Sequence, residues 1–123
     1  MALLSSRLKN NARLRSTEAN GKQAIGKGER DKEAVALLQS CMEELGFKFV
    51  RSKPRGRRLD GVFGEETEEI IKRFQRQQSL KPDGLVGPKT LGVLDAIYVA
   101  FQNADAVRLA IELRAPGSGW EMT

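Results

Sequence analysis

Three stretches of the chain place apolar residues at helical spacing, with turn-forming residues between them. From residue 31, Val35, Leu38, Met42 and Leu45 recur at three- and four-residue steps while Glu33, Gln39 and Glu43 lie elsewhere around the wheel. That pattern predicts a helix over about 31–45, capped by Asp31 and stopped by Gly46. A second helix is expected over about 64–78, with Thr67, Ile70, Ile71 and Phe74 on one face. Its outer face carries acids first (Glu65, Glu66, Glu68, Glu69) and bases later (Lys72, Arg73, Arg76), the order the helix dipole favours. Leu91, Leu94, Ile97, Tyr98 and Phe101 line a third helix starting near Pro88. Either Gln102-Asn103 interrupts it before a further helix through Val107, Ala110, Ile111 and Leu113, or one long helix runs to about Arg114. Phe47 and Phe49 alternate with Lys48 as a short extended segment. Leu3, Leu4, Leu8 and Leu14 are scattered among bases without a sustained stripe, so residues 1–23 read as a mostly disordered arm. Near the other end, Ala115-Pro116-Gly117-Ser118-Gly119 breaks the pattern, and Trp120 is expected to dock back onto the domain.

The helices are joined by a repeated turn. Asp60-Gly61-Val62-Phe63-Gly64-Glu65-Glu66-Thr67 is echoed after 23 residues by Asp83-Gly84-Leu85-Val86-Gly87-Pro88-Lys89-Thr90. In each copy Asp can fold its carboxylate onto nearby backbone N–H groups, and the adjoining Gly takes a positive φ without steric cost. The second Gly stands where an N-cap belongs. Pro88 follows at a first helical position, where its missing N–H costs nothing. Thr67 and Thr90 occupy the third helical position, from which a side-chain oxygen reaches back to the turn.

Composition removes several kinds of chemistry. The chain of 123 residues contains no His, which excludes imidazole catalysis, Ser–His and Cys–His dyads and the usual His-containing catalytic zinc sites. Its one Cys, Cys41, sits inside an apolar helical pattern and reads as a small buried hydrophobe rather than a nucleophile. No stretch approaches the roughly 18 continuous apolar residues of a membrane span, and charge interrupts the first residues before a conventional signal segment can form.

The net charge of +5 is concentrated in residues 1–30, where seven Lys and Arg face two Glu. The rest is balanced, but Lys48, Arg51, Lys53, Arg55, Arg57 and Arg58 form a run with no acid between them. Such clusters favour polyanionic partners.

Taken together, these residues resemble the three-helix peptidoglycan-binding domain found beside bacterial cell-wall hydrolases. The likeness is carried by Gly26-Lys27-Gly28, Val35-Ala36-Leu37-Leu38-Gln39, Leu45-Gly46-Phe47, the first Asp-Gly turn, Ile71-Lys72-Arg73-Phe74-Gln75, Leu80 through Thr90, and Leu94. It covers about residues 24–97, with one departure: the basic connection between Gly46 and Asp60 is longer than in the family. The resemblance implies an all-α, small three-helix domain over 24–97. A basic arm would occupy 1–23, and a helical extension and tail 98–123.

The implied function is a non-catalytic module that binds peptidoglycan or a related anionic wall polymer at the cell wall or periplasm, without a cofactor. Peptidoglycan offers hydroxyls, amides and stem-peptide carboxylates. On charge grounds the candidate ligand residues are Arg51, Arg55, Arg57 and Arg58, which can fork onto carboxylates or phosphates, with Lys53 as a point charge. Asp60 and Asp83 are read first as turn-fixing residues and second as hydrogen-bonding ligand residues. The alternative is an adaptor or structural component of a wall-crossing machine such as a phage tail or secretion apparatus, docking a protein partner through 1–23 or 98–123. Nucleic acid fits less well, because aromatics are few and Phe47 and Phe49 are better used in a core.

Overall fold

The structure, a computed structural model, describes residues 3–19, 23–52 and 59–114, the last ten of these by backbone alone. Trp120 and its expected docking lie outside the described residues. Four helices follow one another: α1 (Ala12–Ala19), α2 (Lys32–Glu44), α3 (Glu65–Gln77) and α4 (Pro88–Arg114). No strand forms among the described residues, and the fold is all-α as expected. Of the two readings of the last helix, the single uninterrupted one holds, over 27 residues. Phe47 and Phe49 do not form a strand; Phe49 is buried in the core and Phe47 packs against it.

The helix ends follow from local chemistry. Asp31 caps α2 by accepting the Ala34 N–H at 3.0 Å, and Gly46 turns the chain out at φ 105°. The Phe47 N–H then closes back on the Met42 carbonyl at 3.0 Å, satisfying an end carbonyl that the helix leaves open. On the outer face of α3 the two expected i,i+4 pairs, Glu68–Lys72 and Glu69–Arg73, are both present at 3.9 Å.

The two Asp-Gly turns are each held by a buried glutamine. In the first, the Gln39 amide nitrogen lies within 3.2 Å of Asp60 Oδ1, the Val62 carbonyl and Thr67 Oγ1, and its Oε1 accepts the Gly61 N–H at 3.0 Å. In the second, Gln75 reaches Asp83 Oδ1, the Leu85 carbonyl and Thr90 Oγ1 within 3.1 Å and accepts the Gly84 N–H at 2.9 Å. Asp60 and Asp83 complete the turns by accepting the Val62 and Leu85 N–H groups, both at 2.9 Å. The turn-fixing reading of both aspartates, and the backward reach of both threonines, are therefore what the structure shows. Gln39 corrects the helical wheel. Placed by sequence away from the apolar stripe, it is fully buried, because the turn brings the partners that a buried amide needs.

The segment before α2 ties the two turns together. Ile25 exchanges both backbone hydrogen bonds with Val86 at 3.0 and 2.8 Å, and three residues later the Gly28 N–H donates to the Phe63 carbonyl at 3.1 Å. Phe63 and Val86 hold the same place in the two copies of the turn. The core beneath them contains Ile25, Val35, Leu38, Met42, Phe63, Ile71, Phe74, Leu91 and Leu94.

The start of the chain corrects the expectation of a disordered arm. Leu3, Leu8 and Leu14 are buried in the same core, and Asn11 caps α1 through the Leu14 N–H at 3.0 Å. The Asp95 carboxylate on α4 accepts the Leu4 and Ser5 N–H groups, each at 2.9 Å. Arg7 pairs with Glu44 and Arg13 with Glu29, both at 2.8 Å, and Tyr98 donates to Glu44. The leucines show no helical period because a turn and a short helix, rather than one continuous helix, point them inward. Leu4 is left exposed.

Two substitutions test these assignments in urea unfolding. Leu14→Ala is expected to lower stability by roughly 2–4 kcal/mol, as for other buried leucines, where a disordered arm predicts no change. Gln75→Leu is expected to cost about 2–4 kcal/mol, because it strands the buried Gly84 N–H and Thr90 hydroxyl.

Candidate functional site

With their defining polar atoms turned inward, the two turns present corresponding grooves to solvent. The groove at the first turn, about 200 Å³, is lined by Arg51, Ser52, Asp60, Val62, Gly64, Glu65 and Glu66. The groove at the second, about 560 Å³, is lined by residues that include Asp83, Leu85, Gly87, Pro88 and Lys89 at the equivalent positions, together with Ser79, Leu80 and Lys81. Each has one exposed aliphatic side chain on its wall, Val62 in the first and Leu85 in the second.

The basic connection itself forms one wall of the first groove. The Glu66 carboxylate accepts the backbone N–H groups of Val50, Arg51 and Ser52 at 2.8, 3.2 and 2.7 Å. Partial burial pushes this carboxyl up, but the three N–H donors outweigh it and hold it at about 2. The Asp60 N–H donates to the Ser52 carbonyl at 2.8 Å, so the middle of the long basic connection meets its end beside the groove. Glu65 and Glu66 were expected only to complement the helix dipole; the docking role of Glu66 went unseen because its partners are backbone groups with no sequence signature.

The second groove has no such backbone segment docked on its helix among the described residues. Lys89 stands where the first turn has Glu66, and both Lys89 and Lys81 are exposed. Ser79 lines this groove with a left-handed backbone, φ 59°, and is the non-glycine residue with positive φ among the described residues. A glycine there would adopt that conformation more easily.

The charge-based candidates divide accordingly. Arg51 is exposed on the lip of the first groove, its side chain turned to solvent while its N–H serves Glu66. Lys53, Arg55, Arg57 and Arg58 lie outside the described residues. Asp60 and Asp83 border the two grooves, each with one carboxylate oxygen engaged by its own turn. Sequence reasoning did not single out Lys81, Lys89 or Ser79. Aligning the two copies of the turn position by position would have exposed the Glu66-to-Lys89 reversal.

Cys41 is buried, which pushes its thiol up to about 11; it packs as a small hydrophobe. Among the described residues no three His, Cys, Asp or Glu side chains gather as a metal ion requires, and no helix is long and apolar enough to cross a membrane.

Glu66→Gln should lower stability by on the order of 1 kcal/mol at neutral pH, kept small by solvent screening. Because the folded carboxyl lies below its unfolded value, this contribution is complete above about pH 4.3 and fades as pH falls toward 2. Urea midpoints of the two proteins should therefore differ at pH 7 and converge near pH 2.

Comparison with known proteins supplies the family. The sequence model of the family described as "Putative peptidoglycan binding domain" matches residues 31–94, from the α2 cap through both turns to the first part of α4. An uncharacterized protein in the bpoA1 3' region of Kitasatospora aureofaciens is 49% identical over 37 residues, which cover 30% of this chain and 31% of that protein. The N-acetylmuramoyl-L-alanine amidase CwlM of Mycobacterium tuberculosis is 37% identical over 57 residues, covering 46% of this chain and 12% of the amidase. The chain thus spans less than a third of either relative's length. No solved structure matches it. The match takes in more than half of the chain, including both glutamine-held turns, and the chain belongs to the peptidoglycan-binding domain family.

Proposed function

We propose that this protein is a non-catalytic binding module for bacterial peptidoglycan or a closely related anionic wall polymer, acting at the cell wall or periplasm. Family membership supports the polymer class. The observation that carries the reading is the division of labour within the matched region: Gln39, Gln75, Thr67 and Thr90 are buried and hydrogen-bonded within the turns, while the grooves beside them expose charged and aliphatic side chains, Arg51 and Val62 among the acids Asp60, Glu65 and Glu66 in the first, and Lys81, Lys89 and Leu85 in the second. A glycopeptide polymer asks for that mixture, with hydrogen-bonding groups for hydroxyls and amides, positive charge for carboxylates, and small apolar contacts for methyl groups.

The similarity to a short part of an amidase that acts on N-acetylmuramoyl-L-alanine fits a module that holds the wall while chemistry happens elsewhere. Arg51, Lys53, Arg55, Arg57 and Arg58, carried by a connection that leaves and returns beside the first groove, supply long-range attraction to the anionic polymer. Asp60 and Asp83 act indirectly by fixing the turns.

Co-sedimentation with purified sacculi over a salt series tests the proposal. The intact protein should pellet saturably and remain bound at moderate salt. An Arg55/Arg57/Arg58→Ser variant should bind more weakly, with a shallower salt dependence. Failure of the intact protein to pellet, or its complete displacement by heparin, overturns the reading.

A further inference from the structure

We infer that the second groove is a subsite for a carboxylate of the peptidoglycan stem peptide, with Lys89 as its principal cation and Lys81 as its second; this rests on the wall-binding function proposed above. The argument comes from comparing the two copies of the turn. At the first, the chain itself closes one side of the groove: a bend, Val50 to Ser52, directs three backbone N–H groups at the carboxylate of Glu66. The side chain at this position of the first turn is therefore already used to hold peptide backbone.

At the second copy the frame is the same and the charge is reversed. Asp83, Leu85, Gly87 and Thr90 repeat Asp60, Val62, Gly64 and Thr67, and Gln75 repeats Gln39. Lys89 takes the place of Glu66, so the complementary occupant brings an acceptor rather than donors. Lys81 lines the same groove, and neither lysine is engaged in an ion pair among the described residues. The one acid on the lining, Asp83, has an oxygen committed to the Leu85 N–H and the Gln75 amide. The groove is also the larger of the two, at about 560 Å³ against about 200 Å³, enough for a few peptide residues.

A peptide carboxylate fits better than a neutral sugar because two ammonium groups without an ion-pair partner among the described residues border the groove, and exposed Leu85 offers a contact for an alanine methyl group. The connection between α3 and the second turn, Gln78 to Pro82, is short, whereas the connection at the first turn, Leu45 to Leu59, is ten residues longer and carries the bend that docks on Glu66. The second groove stays open because it lacks that insertion.

The test uses the full chain, ¹⁵N-labelled, titrated with a synthetic alanyl-glutamyl-lysyl-alanine stem peptide carrying free carboxylates, with its fully amidated counterpart, and with glycerol phosphate. The free-carboxylate peptide should shift the amide signals of Ser79–Asp83 and Leu85–Thr90, and Lys89→Glu should weaken it at least tenfold. Amidation should weaken it similarly, and glycerol phosphate should leave those signals in place. Lys89 is exposed, so the variant should fold, and the unchanged Gly61 and Gly84 signals would verify that. Equal binding of the amidated peptide, shifts confined to the first groove, or shifts produced equally by glycerol phosphate would overturn the inference. Sacculus co-sedimentation separates the two levels. If the intact chain pellets and Lys89→Glu pellets equally well, the subsite is wrong and the wall-binding function stands. If the intact chain does not pellet, both fail.

Discussion

A primary amide buried under a turn is the constraint on which the remainder of this structure depends. Each of the two glutamines offers one acceptor and two donors inside the core, and each finds its partners in a single chain path: Asp, then a left-handed Gly whose N–H points inward, then a carbonyl, then a helical Thr. Any other path leaves buried polar groups unpaired, at a cost comparable to much of a small domain's net stability. The glutamines thus specify the turns more tightly than the turn residues do on their own. Gly61 shows how close the fit is, since a Cβ there would lie 2.9 Å from the Lys32 carbonyl oxygen.

From these two fixed points the remaining architecture follows. Helices α3 and α4 start where the turns release them, at Gly64 and Gly87, and the strap through Ile25 and Gly28 reads the same position in both turns, which sets their separation. The N-terminal segment then closes the core from the α4 side, anchored by Asp95, Glu44 and Glu29. In all three the carboxyl is held below its ordinary range. For Glu29 the Arg13 hydrogen bond is the leading cause, whereas for Glu44 and Asp95 burial pushes upward and hydrogen bonds to Arg7 and Tyr98, or to Leu4 and Ser5, outweigh it. Because the scaffold's polar demands are met internally, the exterior of the turns is free to differ between copies. Only there does the pair diverge in charge.

Much of the fold was legible in the sequence because it is written in local signals. The Asp31 cap, the two Asp-Gly turns, the start of α4 at Pro88 and the apolar stripes of α2 and α3 each follow from a few neighbouring residues. What escaped was non-local. Gln39 looks like an ordinary surface residue until the turn, more than twenty positions away, arrives above it. Leu3, Leu8 and Leu14 have no period to betray their burial. The candidate site was read from charge, which drew attention to the dense basic run around Arg51 and away from two isolated lysines. Lys81 and Lys89 gain significance only once the fold brings them to one groove and the repeat shows what its counterpart holds.

Amide hydrogen exchange at Gly61 and Gly84 is the most direct measure of whether the buried glutamines hold the turns. If they do, both N–H groups should exchange only through global unfolding, with protection matching that of Leu38 and Phe74 in the helix cores and falling in step with them as urea is added. Exchange of either glycine at the rate of an ordinary exposed loop, while the helices stay protected, would show that the turns open locally and that the glutamines do not specify them.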